Sequence, residues 1–363
     1  MSRIFQNITF AGLTLRNRIV RAATYEKRAD EDGRVTDDLV DLYTALADGG
    51  AGLIITGSAM VHTSGRTLRK MLCCHSNIYM DGLRRLASEV HAHNGVIALQ
   101  LDHGGRQCPP LMLGGEQAMA PSEVHDPVTG ATPRSMQDAE IWAMADAFGE
   151  AAYRAQVAGF DAVQVQAAHG TLISSFLSPH TNRRDDYWGG DPGRRLHFLE
   201  EVMRAIRKAV GRDFPVMVKI NADDMLPGGI KPDDAALIAS ALPHMEADCM
   251  EITSGMREAK GSTSPEGVGA DLPEAYLKDA SLLIRRSTSL PVILTGGIRS
   301  LGVMEGLVAE RACDMVGMSR PLIMEPDLPT LMREGRQRSS CTSCNGCTRY
   351  SRLTHIECTL ADN

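Results

Sequence analysis

Asp161-Ala-Val-Gln-Val-Gln-Ala-Ala-His169-Gly170 is the stretch that decides how this chain is read. Its apolar core, Asp161 to Ala167, has the length and β-branched content of a buried strand. Gln166 and His169 then stand at the carboxyl end, where a glycine lets the chain turn. The polar run that follows, Ser178-Pro-His-Thr-Asn182-Arg183-Arg184-Asp185-Asp186-Tyr187-Trp188-Gly189-Gly190, reads as a loop. Strand ends that feed polar loops are where parallel barrels keep their chemistry, so this segment locates the expected active site.

Seven further runs share the pattern of short apolar strand, polar or Gly-rich turn and helical periodicity. The eight strands are expected at residues 19–24, 52–57, 96–102, 161–167, 215–221, 247–253, 291–296 and 313–318. Helices are expected at 37–48, 81–93, 138–156, 194–210, 232–243, 274–286 and 301–310, several opening on Asp or Ser caps. Continuously apolar strands need both faces covered, so the pattern predicts an α/β fold, a (β/α)8 TIM barrel, with a doubly wound open sheet as the alternative. Residues 4–16 pass through Ala11-Gly12 and predict an N-terminal hairpin that closes the barrel floor. The Gly- and Pro-rich stretch 103–133 predicts an excursion over the barrel mouth. The composition breaks near Gly335, which divides the chain into a barrel at 1–335 and a Cys-rich tail at 336–363 packed on it.

The chain has 363 residues, of which 43% are apolar and 23% charged, enough to bury a large core. Its net charge of -7 is dispersed and lacks basic clusters, which argues against a nucleic-acid partner. No window approaches the roughly 18 apolar residues of a membrane span, and the first residues lack a secretory pattern, so no membrane partner and a cytoplasmic location are expected. Nine cysteines without a leader argue against a disulfide scaffold.

Two turns point to a phosphate. Thr295-Gly296-Gly297-Ile298-Arg299-Ser300 follows the seventh strand and opens a helix, and Val316-Gly317-Met318-Ser319-Arg320-Pro321 follows the eighth. Glycines let backbone amides approach an anion, a helix amino end adds positive potential, and Arg320 can pair with phosphate oxygens. Either turn alone would read as barrel closure; together they favour phosphate binding.

At this point the sequence resembles the old yellow enzyme family of NADH:flavin oxidoreductases, including the flavin domain of 2,4-dienoyl-CoA reductase-like proteins. The landmarks are Asn17-Arg18-Ile19-Val20-Arg21-Ala22-Ala23-Thr24, Gln100-Leu-Asp-His103-Gly-Gly105-Arg106, Ala168-His169-Gly170, Phe176-Leu177-Ser178-Pro179, Asn182-Arg183-Arg184, Lys219-Ile-Asn221, Gly296-Gly297 and Ser319-Arg320. The resemblance covers nearly the whole chain and implies a barrel carrying FMN, with NADH or NADPH as a transient donor. It places Ala22, Ala23 and Thr24 against the flat flavin ring and Tyr25 near a ring carbonyl. Ser58, Gln100 and Lys219 join the cofactor set, Gln100 and Lys219 at the pyrimidine edge. Gly296, Gly297, Ser319 and Arg320 would hold the phosphate. A cation at Lys219 would stabilise negative charge on the reduced ring.

Two departures bear on chemistry. Gln166 and His169 stand where relatives present a His-x2-His or His-x2-Asn pair to a substrate carbonyl, and Gln166 cannot ionise, so polarisation is expected to fall mostly on His169. Thr171 stands where many relatives carry a proton-donating tyrosine, and its hydroxyl is too weak an acid to replace a phenol. The proton is then expected from Tyr25, His180, Tyr187 or water.

The tail carries Cys341-Thr-Ser-Cys344-Asn345-Gly-Cys347, then Cys358. Such spacing can converge on one centre and resembles the iron-sulfur segment of the dienoyl-CoA reductase-like branch, although the last two gaps are each one residue tighter. An iron-sulfur cluster, a four-thiolate zinc and unoccupied thiols all remain open. In that branch a second flavin domain follows, and none is expected here, since the sequence ends at Asn363. The sequence thus predicts an FMN-dependent NAD(P)H oxidoreductase that reduces an activated C=C bond of a small-molecule substrate by ping-pong hydride transfer. The alternatives are a flavin-dependent amine or small-metabolite dehydrogenase serving an electron-transfer partner, and a non-catalytic flavin-bound redox protein. A homo-oligomer is compatible with either.

Overall fold

Each strand alternates its side chains between the helices and the barrel interior, and that alternation explains the layering of the whole molecule. In the computed structural model, which describes residues 2–259, 261, 263–349 and 353–360, the strands are β1 (Ile19–Arg21), β2 (Leu53–Met60), β3 (Ile97–Asp102), β4 (Ala162–Ala167), β5 (Val216–Asn221), β6 (Cys249–Thr253), β7 (Val292–Thr295) and β8 (Met315–Met318). All eight predicted runs are present with ends shifted by a few residues. Every neighbour is parallel, and β1 pairs with both β8 and β2, so the sheet closes and the open-sheet alternative is excluded. Between the strands lie α1 (Asp37–Asp48), α2 (Met80–Ala92), α3 (Asp138–Ala158), α4 (Leu172–Leu177), α5 (His197–Val210), α6 (Pro232–Ala241), α7 (Lys278–Arg285) and α8 (Leu301–Ala309), followed by α9 (Arg320–Met324) and α10 (Leu328–Arg333). None of the described helices is long and apolar enough to cross a membrane.

The helix-facing residues, among them Leu99, Val163, Val165, Val218 and Ile252, pack with Leu83, Phe148, Val202 and Ile206 in one large core. The inward-facing residues at the amino ends of the strands form a second, smaller apolar layer of Val20, Leu53, Ile55, Ala98, Ala162, Met217, Cys249, Ile293 and Met315. The expected hairpin, Ile8–Phe10 against Leu13–Leu15, seals this layer with Phe10 and Leu15. Its two-residue turn puts both Ala11 (φ 44°) and Gly12 (φ 78°) in the left-handed region, the geometry that matches the twist of a tight hairpin.

One step along each strand the interior turns polar. Ser58 Oγ donates to Gln100 Oε1 at 2.9 Å, Gln100 Nε2 to Gln164 Oε1 at 2.8 Å, and Gln164 Nε2 to Glu251 Oε2 at 2.7 Å. Thr295 Oγ1 donates to Glu251 Oε1 at 2.8 Å, and the same oxygen pairs with Lys219 Nζ at 2.9 Å. Glu251 is fully buried, so these three donors replace its water shell. The layer leaves no room at Gly317, where a Cβ would lie 1.8 Å from Thr295 Oγ1. A register shift between Ile55 and Ser58 in β2 brings Ser58 into this layer. The amide of Gly57 in that irregularity donates to buried Glu26 Oε1 at 2.6 Å and to the Tyr43 hydroxyl at 2.9 Å.

Candidate active site

Above the polar layer, at the carboxyl ends of the strands, opens a cavity of about 460 Å³. This lies within the range of about 300–1,000 Å³ common for small-molecule sites. Ala22, Ala23, Thr24, Tyr25, Ser58, Gln100, Gln166, His169, Lys219, Ser319 and Arg320 all line it, so eleven of the thirteen residues expected to hold cofactor or substrate converge there. The other two, Gly296 and Gly297, line a smaller cavity that shares Thr295, Ser319 and Arg320 with the first. Gly297 has φ 69°, and a Cβ there would meet Val268 at 2.7 Å and Tyr276 at 2.9 Å.

Parallel pairing of β1 with β8 sets one wall: Ala22 N donates to Met318 O at 3.0 Å, and Thr24 Oγ1 bonds Ser319 Oγ at 2.8 Å. Gln100 gives one hydrogen to Gln164 and accepts one from Ser58, which leaves its amide one donor and one acceptor. The Tyr25 hydroxyl donates to the Arg69 carbonyl.

His169 sits just beyond β4 in the left-handed region, φ 63°, a conformation that costs a non-glycine residue energy and persists only where the surroundings fix it. Its Nδ1 is 3.0 Å from Gly255 O. A carbonyl oxygen only accepts, so Nδ1 carries the proton. Burial, with the Lys219 charge, pushes the ring down to about 4, and the imidazole is neutral at pH 7. Its remaining nitrogen, Nε2, is therefore an acceptor, with Thr253 Oγ1 at 3.5 Å.

The C-terminal tail supplies part of the wall. Asn345, Cys347, Thr348 and Ile356 line the main cavity. Arg320 donates to Asn345 Oδ1 at 2.7 Å, and the Ile356 amide donates to Glu26 O at 2.9 Å. Arg299, almost fully buried beside Gly296 and Gly297, donates to Cys341 O and Ser343 Oγ, while its Nε finds no partner among the described residues. Residues 350–352 and 361–363 of the expected tail lie outside the described residues.

Cys341, Cys344, Cys347 and Cys358 all border one small cavity, as their spacing suggested. They lie at different depths, Cys347 buried and Cys344 exposed, and among the described residues no group of three His, Cys, Asp or Glu side chains is placed to hold a metal ion. Two residues named as proton donors stand elsewhere. His180 faces Glu258 at 3.3 Å, and Tyr187 is half exposed and stacked on His197. Neither lines the cavity. The sequence reading missed Glu251, Gln164, Asp102 and Arg299. The first two had a visible signal, a polar residue at an inward position of an otherwise apolar strand.

The model of the NADH:flavin oxidoreductase / NADH oxidase family matches residues 3–339. The chain belongs to this family. An NADH oxidase of Thermoanaerobacter brockii is 35% identical, over 98% of this chain but 55% of that protein, so the chain spans about half its length. An NADPH dehydrogenase of Clostridium acetobutylicum is 32% identical, over 89% of this chain and 92% of that protein. Among solved structures of similar shape, a 2-naphthoyl-CoA reductase in complex with 2-naphthoyl-CoA superposes with a TM-score of 0.90 at 27% identity, over 95% of this chain and 54% of that one. As an NADH:flavin oxidoreductase family member the chain fits FMN and NAD(P)H.

Proposed function

We propose that this protein is an FMN-dependent NAD(P)H oxidoreductase that reduces an activated C=C bond in two half-reactions at one site. The observation that carries the reading is the buried ammonium of Lys219, fixed by Glu251 at the floor of a cavity that Gln100 also lines. A cation beside an amide that has one donor and one acceptor to spare suits a ring edge that gains negative charge on reduction. At the other end the unpartnered Nε of Arg299, the glycine turn and Arg320 suit a phosphate. FMN bound there supplies the two-electron carrier between nicotinamide and alkene.

The chain's own residues then divide the work. Ala22, Ala23 and Thr24 form the wall for the ring, with Tyr25 and Ser58 at its margin; Gly296, Gly297, Ser319 and Arg320 hold the phosphate. Gln166 and His169 position the substrate, but with its single N–H committed to Gly255, neutral His169 offers an acceptor. Donation to a substrate carbonyl therefore falls to the Gln166 amide, the reverse of the division expected from the sequence. The unit at 1–335 is the flavin barrel, and the tail from 336 closes its phosphate side through Arg299 and Arg320. Among the described residues no three such side chains are placed to hold a metal ion, and no electron route through the tail thiols is assigned.

An anaerobic titration tests this reading. The purified protein should be yellow, lose its colour with NADH or NADPH, and regain it with an enone. A colourless protein that does not take up FMN, or a bound flavin that neither nicotinamide bleaches, would overturn it. Bleaching by an amine instead would favour the dehydrogenase reading.

A further inference from the structure

We propose that Asp102 is the acid that delivers the proton to the substrate carbon adjacent to the one that receives hydride. This inference rests on the alkene-reductase reading above and adds the residue that completes its chemistry. Saturating a C=C bond adds a hydride to one carbon and a proton to the other, so the cavity needs an acid that faces it and holds a proton near neutrality.

The titratable groups of the cavity wall narrow the choice. His169 is neutral, with its N–H on Gly255. Lys219 is held by Glu251, and the Tyr25 hydroxyl donates to the Arg69 carbonyl. Burial pushes the Cys347 thiol up to about 11, too weak an acid. Arginines do not release protons. Asp102 lines the cavity, is 3% exposed, and its Oδ1 has no hydrogen-bond partner among the described residues.

Its burial favours the acid form. Ser58 and Thr171 face the carboxyl, but the Ser58 hydroxyl hydrogen goes to Gln100 Oε1 at 2.9 Å and that of Thr171 to Ala168 O at 3.1 Å. With those hydrogens committed elsewhere, the two hydroxyls hold the carboxylate less firmly than free donors would, and both can accept from a carboxylic O–H. Burial is the largest influence and raises the carboxyl to about 6, outweighing the Ser58 hydroxyl, the His103 amide and the Thr171 hydroxyl, which all act to lower it. Neither adjacent titratable group changes charge near neutrality: burial pushes His103 down to about 3 and the Cys108 thiol far up. Thr171 therefore keeps a role as a positioning residue at the place where a phenol is absent.

In the step itself, hydride from flavin reduced by NAD(P)H forms a C–H bond at one alkene carbon, and the π pair moves to its neighbour. That carbon takes the proton of the Asp102 O–H, and the carboxylate left behind is reprotonated by water. The nicotinamide is oxidised and the alkene reduced by two electrons.

The test compares native holoenzyme with Asp102→Asn in anaerobic stopped-flow. Bleaching by NAD(P)H should stay within about twofold, while recolouring by an enone slows by about a hundredfold or more, the usual range for a lost general acid. Recolouring by a quinone, whose oxygens need no carbon protonation, should stay near native. Independently of turnover, infrared spectra near pH 5 should show a buried carboxylic C=O band that Asp102→Asn removes, with or without flavin. Enone recolouring within threefold of native, equal slowing of enone and quinone, or absence of that band would overturn the proposal. Should Asp102→Asn not fold, Thr171→Val decides: a buried carboxylic band above pH 5 that Thr171→Val shifts, as the band of buried Glu26 would not, together with a slower enone step supports it, and the absence of either overturns it. Failure of NAD(P)H to bleach the native flavin would instead sink the underlying reading.

Discussion

Substituting Lys219→Met would strip the ammonium from Glu251 and leave a carboxylate that is fully buried in the middle of the barrel, with only the Gln164 amide and the Thr295 hydroxyl as donors. Breaking a buried pair from one side costs about 3–5 kcal/mol. With an unfolding entropy of roughly 2.1 cal/mol/K per residue over 363 residues, that loss lowers Tm by about 4–7 °C. The converse change, Glu251→Gln, should cost clearly less, because Lys219 lines the cavity and its ammonium can be hydrated there, whereas Glu251 has no such exit. The double variant Lys219→Met/Glu251→Gln removes both charges and should regain most of the Lys219→Met loss. Circular dichroism melts of flavin-free protein measure all three without a contribution from cofactor binding. A Lys219→Met deficit below about 1 °C, or a double variant equal to the sum of the singles, would refute the coupling.

Three further outcomes follow from particular contacts. Gly317→Ala forces a Cβ into Thr295 Oγ1 and should cost about 1–3 kcal/mol, partly recovered by adding Thr295→Ala; a neutral effect in thermal melts would refute the packing. Arg320→Met should weaken FMN binding by about 1.5–3 kcal/mol, roughly ten- to over a hundredfold, while leaving riboflavin, which lacks the phosphate, nearly unaffected in fluorescence titrations; equal losses for both would place Arg320 elsewhere. Burial raises the Glu26 carboxyl to about 7 despite Arg21 and Arg28 nearby, so the folded state holds a proton that the unfolded state releases near its ordinary value. Stability should then fall as pH rises from about 4.5 to 7, by roughly 3 kcal/mol at most from this group, and Glu26→Gln should flatten that part of a denaturation series.

The barrel was legible because each strand is a short, mostly apolar run with a glycine or polar residue at its carboxyl end, as in Asp161 to Gly170. The site was legible where chemistry sits at those ends: Gln166, His169, Ser319 and Arg320 all reach the cavity. What escaped was hidden inside strands or in tautomer geometry. Glu251 lies in Cys249–Thr253 and gains its meaning only when closure sets it beside Lys219, 32 positions away in the chain. Asp102 reads as a strand end until Thr171, from a different loop, is placed beside it. Nor could spacing show that Gly255 O accepts the His169 N–H, or that His180 and Tyr187 do not line the cavity.

The hook that Arg299 throws around Cys341 and Ser343 ties the final segment to the same turn that suits a phosphate. Loading the barrel and seating its terminus therefore share one guanidinium, and a protease that trims this end should cut more slowly once FMN is bound.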